Sequence, residues 1–234
     1  MVLMSNLETF ANFYKDDKLG FDIKLVEKGF MTFKKFFSGT NCLELGPATG
    51  YMTKYLVDSF LTVTVVEGSR TLIDQIPCYT NLKKVNCLFE DFIPSEKYDT
   101  IIINHVLEHL VDPISVLKKV YNWLNEDGIC IVGVPNAKSF HRLAAVKMGL
   151  LKSEYDLNSR DLELGHYRIY DLELLKNHMD QAGFKIKFES GIFLKFLSNA
   201  QIETFLDDKI VEAYFDLATD FYKNSAEIFL IAHK

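Results

Sequence analysis

A stretch of nine residues, Cys42-Leu-Glu-Leu-Gly-Pro-Ala-Thr-Gly50, limits the folds open to this chain more than any other. A short apolar strand runs directly into a bend of small side chains, and residues 51–60 continue from it as a helix. Strand, tight bend and helix in that order form the opening unit of a sheet whose strands run parallel. Side chains as small as those of Gly46, Ala48 and Gly50 also let a bound group come close to backbone N–H donors, which bulkier residues prevent.

Two further signals follow in register. Val63-Thr-Val-Val-Glu67 is an apolar strand ending in an acid about twenty residues beyond the bend, where a carboxylate accepts from both hydroxyls of a ribose. Phe89-Glu-Asp91-Phe92 closes a third segment, with Asp91 placed to accept from the amine of an adenine and Phe92 to lie against its ring. A lone glycine bend is ordinarily just a bend, and a lone acid at a strand end is ordinarily solvated. Three such features in one order describe a pocket for a nucleoside.

The alternation continues. Phe21, Leu25, Phe30, Phe33 and Phe37 space a helix over residues 21–37, followed by strands over 42–45, 61–67 and 85–89 with a helix over 70–76. Residues 98–104 form a fourth strand, apolar through its centre as expected when helices cover both faces. Asp112-Pro113 caps and starts a helix that runs to Leu124, and residues 129–134 are the fifth strand. In the tail, Asp171 caps a helix ending at Gly183, and residues 184–189 are a strand. Asn199 opens one long helix carrying Ile202, Leu206, Ile210, Ala213, Leu217 and Phe221 on a face. Residues 227–232 form the last strand, which with no crossover left closes antiparallel. Between Asn136 and Tyr170 the pattern is irregular, with a helix over 139–151 and a loop over 152–165, a length of cap more often functional than idle.

The chain has 234 residues, 48% of them apolar, which suits a single large α/β domain over 1–234, with N-terminal helices in 1–40 and a substrate cap in 136–170. A net charge of -6 argues against a broad grip on nucleic acid. Ser5, Asn6, Glu8, Asp16 and Asp17 interrupt any apolar leader, and no apolar run approaches a membrane span, so a cytoplasmic location is expected. Cys42, Cys87 and Cys130 fall in expected core strands and no CxxC pair occurs, so they are expected to be buried thiols.

The order Leu-Glu-Leu-Gly-Pro-Ala-Thr-Gly, Val-Val-Glu-Gly-Ser, Glu-Asp-Phe, Tyr-Asp-Thr-Ile-Ile-Ile-Asn-His-Val-Leu-Glu-His-Leu resembles the class I S-adenosylmethionine-dependent methyltransferases over roughly residues 21–188. Gly165-His-Tyr-Arg-Ile-Tyr170 before a helix ending Ala182-Gly-Phe184 is similar to the small-molecule branch with ubiquinone-type and sugar methyltransferases. The resemblance implies a Rossmann-like mixed sheet of seven strands, the last antiparallel, with helices on both faces. It implies S-adenosyl-L-methionine as cofactor, with S-adenosyl-L-homocysteine as product. Glu44, Gly46, Pro47, Ala48, Gly50 and Asn104 would then face the methionine part, Glu67 the ribose, and Asp91 and Phe92 the adenine, with Gly68 also binding the cofactor. Pro47 departs from the family's usual Cys or Gly and offers no amide to the cofactor.

A dinucleotide dehydrogenase competes for the front half, but position 48 is Ala where GxGxxG requires Gly. His105-Val-Leu-Glu108-His109 matches the HxxEH of some zinc proteases, a reading its place after a nucleotide-fold strand opposes. Three readings of it stay open: a structural wall, a substrate border, or a divalent metal held by His105, Glu108 and His109 with His166 as a distant fourth ligand. His166 is the candidate base, with His109 in reserve. Asn136, His141, Arg142, Arg168 and Tyr170, with Arg160, gather donors in the cap and point to an acceptor bearing carboxylate or phosphate, such as a nucleotide-linked sugar. Phe140, Phe193, Leu194 and Phe196 are candidates for an apolar acceptor wall. The expected reaction is methyl transfer to a hydroxyl or amine of a small molecule, by a monomer or homodimer. A non-catalytic cofactor-binding module is the alternative from another class, and an aminopropyl transferase is disfavoured because Asn104 and His105 stand where an acidic pair is needed.

Overall fold

The computed structural model describes residues 2–11 and 20–234. Asp16 and Asp17 lie outside the described residues. Seven strands, β1 (Asn41–Leu45), β2 (Thr62–Glu67), β3 (Leu82–Asn86), β4 (Tyr98–Asn104), β5 (Leu124–Pro135), β6 (Lys185–Ile192) and β7 (Glu227–His233), form one sheet ordered β3-β2-β1-β4-β5-β7-β6. The first five pair in parallel, and β7 slots between β5 and β6 antiparallel to both. The expected mixed sheet and its antiparallel last strand are borne out.

Both faces of the central strands are buried, which is why they are apolar without alternation. On one face Leu43, Leu45, Ile101, Ile103 and Val132 pack with Val116, Leu117 and Val120 of α5 (Pro113–Trp123) and Leu175 and Met179 of α8 (Leu172–Gln181). On the other, Cys42, Val63, Val65, Ile102 and Ile131 meet Phe21, Leu25, Phe30 and Phe33 of α2 (Phe21–Phe33). Asp112 caps α5 through a 3.0 Å bond from the Ser115 amide, and Pro113 takes the first helical position, where no donor is needed.

Four expectations are corrected. The third strand lies earlier than 85–89, because its side chains are only half buried at the sheet edge and Lys83 and Lys84 obscure its pattern. The segment 152–165 contains α7 (Ser159–Leu164), held by a capping box between Asn158 and Asp161. The helix expected over 139–151 is only α6 (Phe140–Lys147). The single long helix from Asn199 is two, α9 (Asn199–Phe205) and α10 (Asp208–Leu217), because Leu206 turns extended and Asp207 caps a fresh start through the Ile210 amide. Its supposed apolar stripe breaks accordingly: Leu217 and Phe221 are exposed, while Ile202 and Val211 are buried. Among the described residues no helix is long and apolar enough to cross a membrane.

Candidate functional site

At the carboxyl ends of β1, β4 and β5 lies a cavity of about 400 Å³, lined also by the cap segment and by residues after β6 and at the start of β7. The chain makes tight turns there. Gly46 has φ +66°, and a Cβ on it would meet Val106 Cγ2 at 2.6 Å. Ala48 (φ 49°) and His105 (φ 56°) take the same left-handed conformation with side chains present, at roughly 1–2 kcal/mol each. Both line the cavity, whereas Phe193 (φ 64°), which shares the conformation, is buried in the core away from it.

Glu44, Gly46, Pro47, Ala48 and Asn104 all line this space. Glu44 is buried, its Oε2 accepts a 2.6 Å hydrogen bond from Thr53, and Asn104 Oδ1 is buried with no partner among the described residues. Gly50 lies behind the bend against Ile76. Glu67 accepts from the Ser69 amide at 2.9 Å, and burial pushes its carboxyl up against the opposing amides of Ser69, Ala48 and Gly68. Helix α1 (Val2–Ala11) covers this end: the Arg70 amide donates to Glu8 at 2.7 Å, and a Cβ on Gly68 would touch Leu7. Asp91 is exposed in a turn. Phe92 corrects the expectation of a plate for adenine, since its ring is buried edge-on to Trp123 at 5.1 Å within the core.

The histidine cluster divides into two. His105 stands between carboxylates, Nε2 3.0 Å from Glu227 and Nδ1 3.4 Å from Glu108. Burial of the ring opposes its charge, but the Glu227 carboxylate and the contact with Glu108 outweigh that and hold its pKa well above the ordinary value. His109 instead packs edge-on to His166 with ring centres 4.7 Å apart, and burial pushes it down to about 4. His166 Nδ1 lies 3.3 Å from Asp161, which Arg142 also grips at 3.1 Å. Donor atoms of Glu108, His109 and His166 lie within 4.8 Å of one another, close enough to share an ion after a modest contraction, whereas His105 is engaged elsewhere.

The cap donors are less available than their sequence suggests. Arg142 lines the cavity but donates to Asp161 and to the carbonyls of Glu154 and Asp156. Arg168 does not line it: its guanidinium grips the carbonyls of Leu107, Leu110 and Val111, pinning the turn that carries Glu108 and His109. Tyr170 is fully buried, 3.1 Å from His178, and also lies outside the cavity. Asn136 lines it, yet its amide nitrogen donates to the carbonyls of Lys223 and Ser225. His141 lines it with Nδ1 unpartnered, and burial, helped by Lys195 and Arg142, pushes it down to about 3. Arg160 pairs with Asp22. Phe193 is core, and Phe140 stacks on Phe196 at 5.0 Å. Lys195 and Glu227 also line the cavity, and no local motif marks either; a lone acid opening the apolar run of β7 is the one signal that points to Glu227.

A family profile described as a methyltransferase domain matches residues 22–187. A malonyl-[acyl-carrier protein] O-methyltransferase of Bacillus anthracis is 30% identical over 111 residues, 45% of this chain and 41% of that protein, so the match spans under half of that relative's length. An uncharacterized methyltransferase, YrrT, of Bacillus subtilis (strain 168) is 29% identical over 161 residues, 64% of this chain and 72% of that one. In fold, the chain is similar to the N-methyltransferase NodS from Bradyrhizobium japonicum in complex with S-adenosyl-L-homocysteine, with a TM-score of 0.64 at 12% identity over 97% of each chain.

Proposed function

The chain belongs to the methyltransferase-domain family of S-adenosylmethionine-dependent enzymes, and we propose that it transfers a methyl group to a hydroxyl or amine of a small molecule, of the sugar or other anionic metabolite type. The observation that carries the reading is one cavity lined both by Glu44, Gly46 and Asn104 and by His109 and His166. Glu44, Gly46, Pro47, Ala48 and Asn104 hold the methionine end, with Gly50 shaping the bend from behind. The unpartnered Asn104 oxygen and the bend around Gly46 fit such a group. Glu67 and Gly68 take the ribose, and Asp91 the adenine.

The cofactor supplies a methyl on a sulfonium that is already a good leaving group. The chain's part is to hold the acceptor in line, which is worth ~7–11 kcal/mol when the geometry is near attack. For a hydroxyl acceptor, His166 is the base: its Nδ1 faces the Asp161 carboxylate at 3.3 Å without a formed hydrogen bond, which leaves the other ring nitrogen to take the proton, a contribution of ~10²–10⁴-fold. Burial opposes a charge on His109, which keeps it in reserve, and its edge-on contact orients His166. The domain is taken as one unit over 1–234 with 136–170 as acceptor cap, and the four unpaired cysteines suit the reducing cytoplasm.

Labelled cofactor incubated with fractionated cell metabolites should yield a labelled small product. His166→Gln should lower kcat by ~10²–10⁴ while calorimetry finds the affinity for S-adenosyl-L-homocysteine unchanged. Failure of the wild type to bind that product removes the whole reading.

A second reading is favoured by the proximity of Glu108, His109 and His166, backed by Asp161 as carboxylates back metal-bound histidines. In it Glu108, His109 and His166 would hold a divalent cation, which would supply Lewis-acid polarisation of the acceptor hydroxyl. Activity that survives exhaustive chelation removes this reading and leaves the imidazole as base.

A further inference from the structure

The charged groups around the cavity pair unevenly. Arg142 is matched by Asp161 and Arg160 by Asp22, while His105 alone answers two carboxylates, Glu108 and Glu227. Lys195, on the segment after β6, is the reverse case. Its Nζ donates to the neutral amide oxygen of Asn199 at 2.5 Å, and among the described residues no carboxylate lies within 4.0 Å of it. The backbone ties it to a second donor: the His141 amide donates to the Lys195 carbonyl at 3.0 Å, and His141 Nδ1 is buried with no partner. Both residues line the cavity that holds His109 and His166.

Lys195 is half-buried, and an ammonium matched at close range only by a neutral amide favours the arrival of something negative. Burial, with Arg160, presses Lys195 toward its neutral form, and Asp22 and Glu227 oppose from farther off. The negative surplus sits at His105, where the cationic sulfonium of the proposed cofactor suits it, and the positive surplus sits at Lys195.

We propose that Lys195 and His141 form an anion subsite that receives a carboxylate or phosphate of the methyl acceptor. The proposal rests on the methyltransferase reading for its acceptor and replaces Arg142 and Arg168, whose donors are engaged by the chain itself. It selects among acceptors by their charged group and leaves the reacting hydroxyl or amine to the His166 side.

The test uses the full chain loaded with S-adenosyl-L-homocysteine and titrated, at constant ionic strength, with inorganic phosphate in one arm and malonate in the other. One anion per chain is expected. Lys195→Met should weaken it at least tenfold, Lys195→Arg should retain it, and His141→Gln should weaken it severalfold, with S-adenosyl-L-homocysteine binding unchanged in all three as the check on folding. Binding of phosphate alone assigns a phosphorylated acceptor, and of malonate alone a carboxylate. Equal binding by wild type and Lys195→Met overturns the subsite, as does binding of neither anion by a wild type that still binds S-adenosyl-L-homocysteine. A wild type that fails to bind that product overturns the methyltransferase reading instead.

Discussion

Glu44 is 5% exposed, and among the described residues no cation lies within 4.0 Å to balance its charge. Burial, opposed by the Thr53 hydrogen bond and reinforced by Glu67, pushes its pKa from 4.5 up to about 7. Between those values the folded chain keeps a proton that the unfolded chain has released. Stability therefore falls as pH rises through that window and levels off above it. From 4.5 to about 7, at ~1.36 kcal/mol per unit, the loss approaches about 3 kcal/mol. Glu44→Gln keeps an acceptor for Thr53 and removes the titration. Urea unfolding should place the variant within about 1 kcal/mol of wild type at pH 5 and about 3 kcal/mol above it at pH 8, with equal slopes. Binding should move the other way. A charged acceptor is worth ~1.5–3 kcal/mol to the cofactor's amine, so affinity for S-adenosyl-L-homocysteine should fall roughly 10- to 150-fold. A stability difference of the same size at both pH values would refute the assignment of the effect to this carboxylate.

Three other outcomes follow from the same geometry. Glu227→Gln removes the carboxylate 3.0 Å from His105 and should cost ~1.5–3 kcal/mol in urea unfolding; a loss below about 0.5 kcal/mol shows the pair to be inconsequential. Arg168→Lys cannot reach three carbonyls with one ammonium, so it should lower stability by ~2–4 kcal/mol without moving the calorimetric affinity for S-adenosyl-L-homocysteine. Gly46→Ala adds left-handed strain to a contact at 2.6 Å from Val106, about 3 kcal/mol together, and its thermal midpoint should fall by several degrees.

The sheet was legible because its central strands are apolar on both faces, as in Ile101-Ile-Ile103, and because Asp112-Pro113 and Gly183 punctuate the helices that cover it. The break at Leu206 was hidden by a helical spacing that happens to continue across it, although Asp207 is an ordinary start signal. At the site, the bend around Gly46 follows from neighbours in the chain, so local reading reaches it, while Glu67 closes β2 as expected but is not among the residues lining the cavity. The arginines do not: whether Arg168 meets an acceptor or three carbonyls of its own chain depends on residues some sixty positions away. Glu227 and Lys195 were missed for the same reason, since each gains its meaning only from partners that the fold brings from β4 and the cap.

The rung where Ile192 faces Glu227 marks both the departure and the return of everything between β6 and β7. An excursion that leaves and rejoins at one point can be lengthened at little entropic expense, roughly 0.6 kcal/mol for each doubling. Lys195 and Asn199 stand at its outset and Glu227 at its end. Ile202 and Val211 of that segment pack with α2, so length is tolerated only between those anchors, and the bend after β1 is untouched by it.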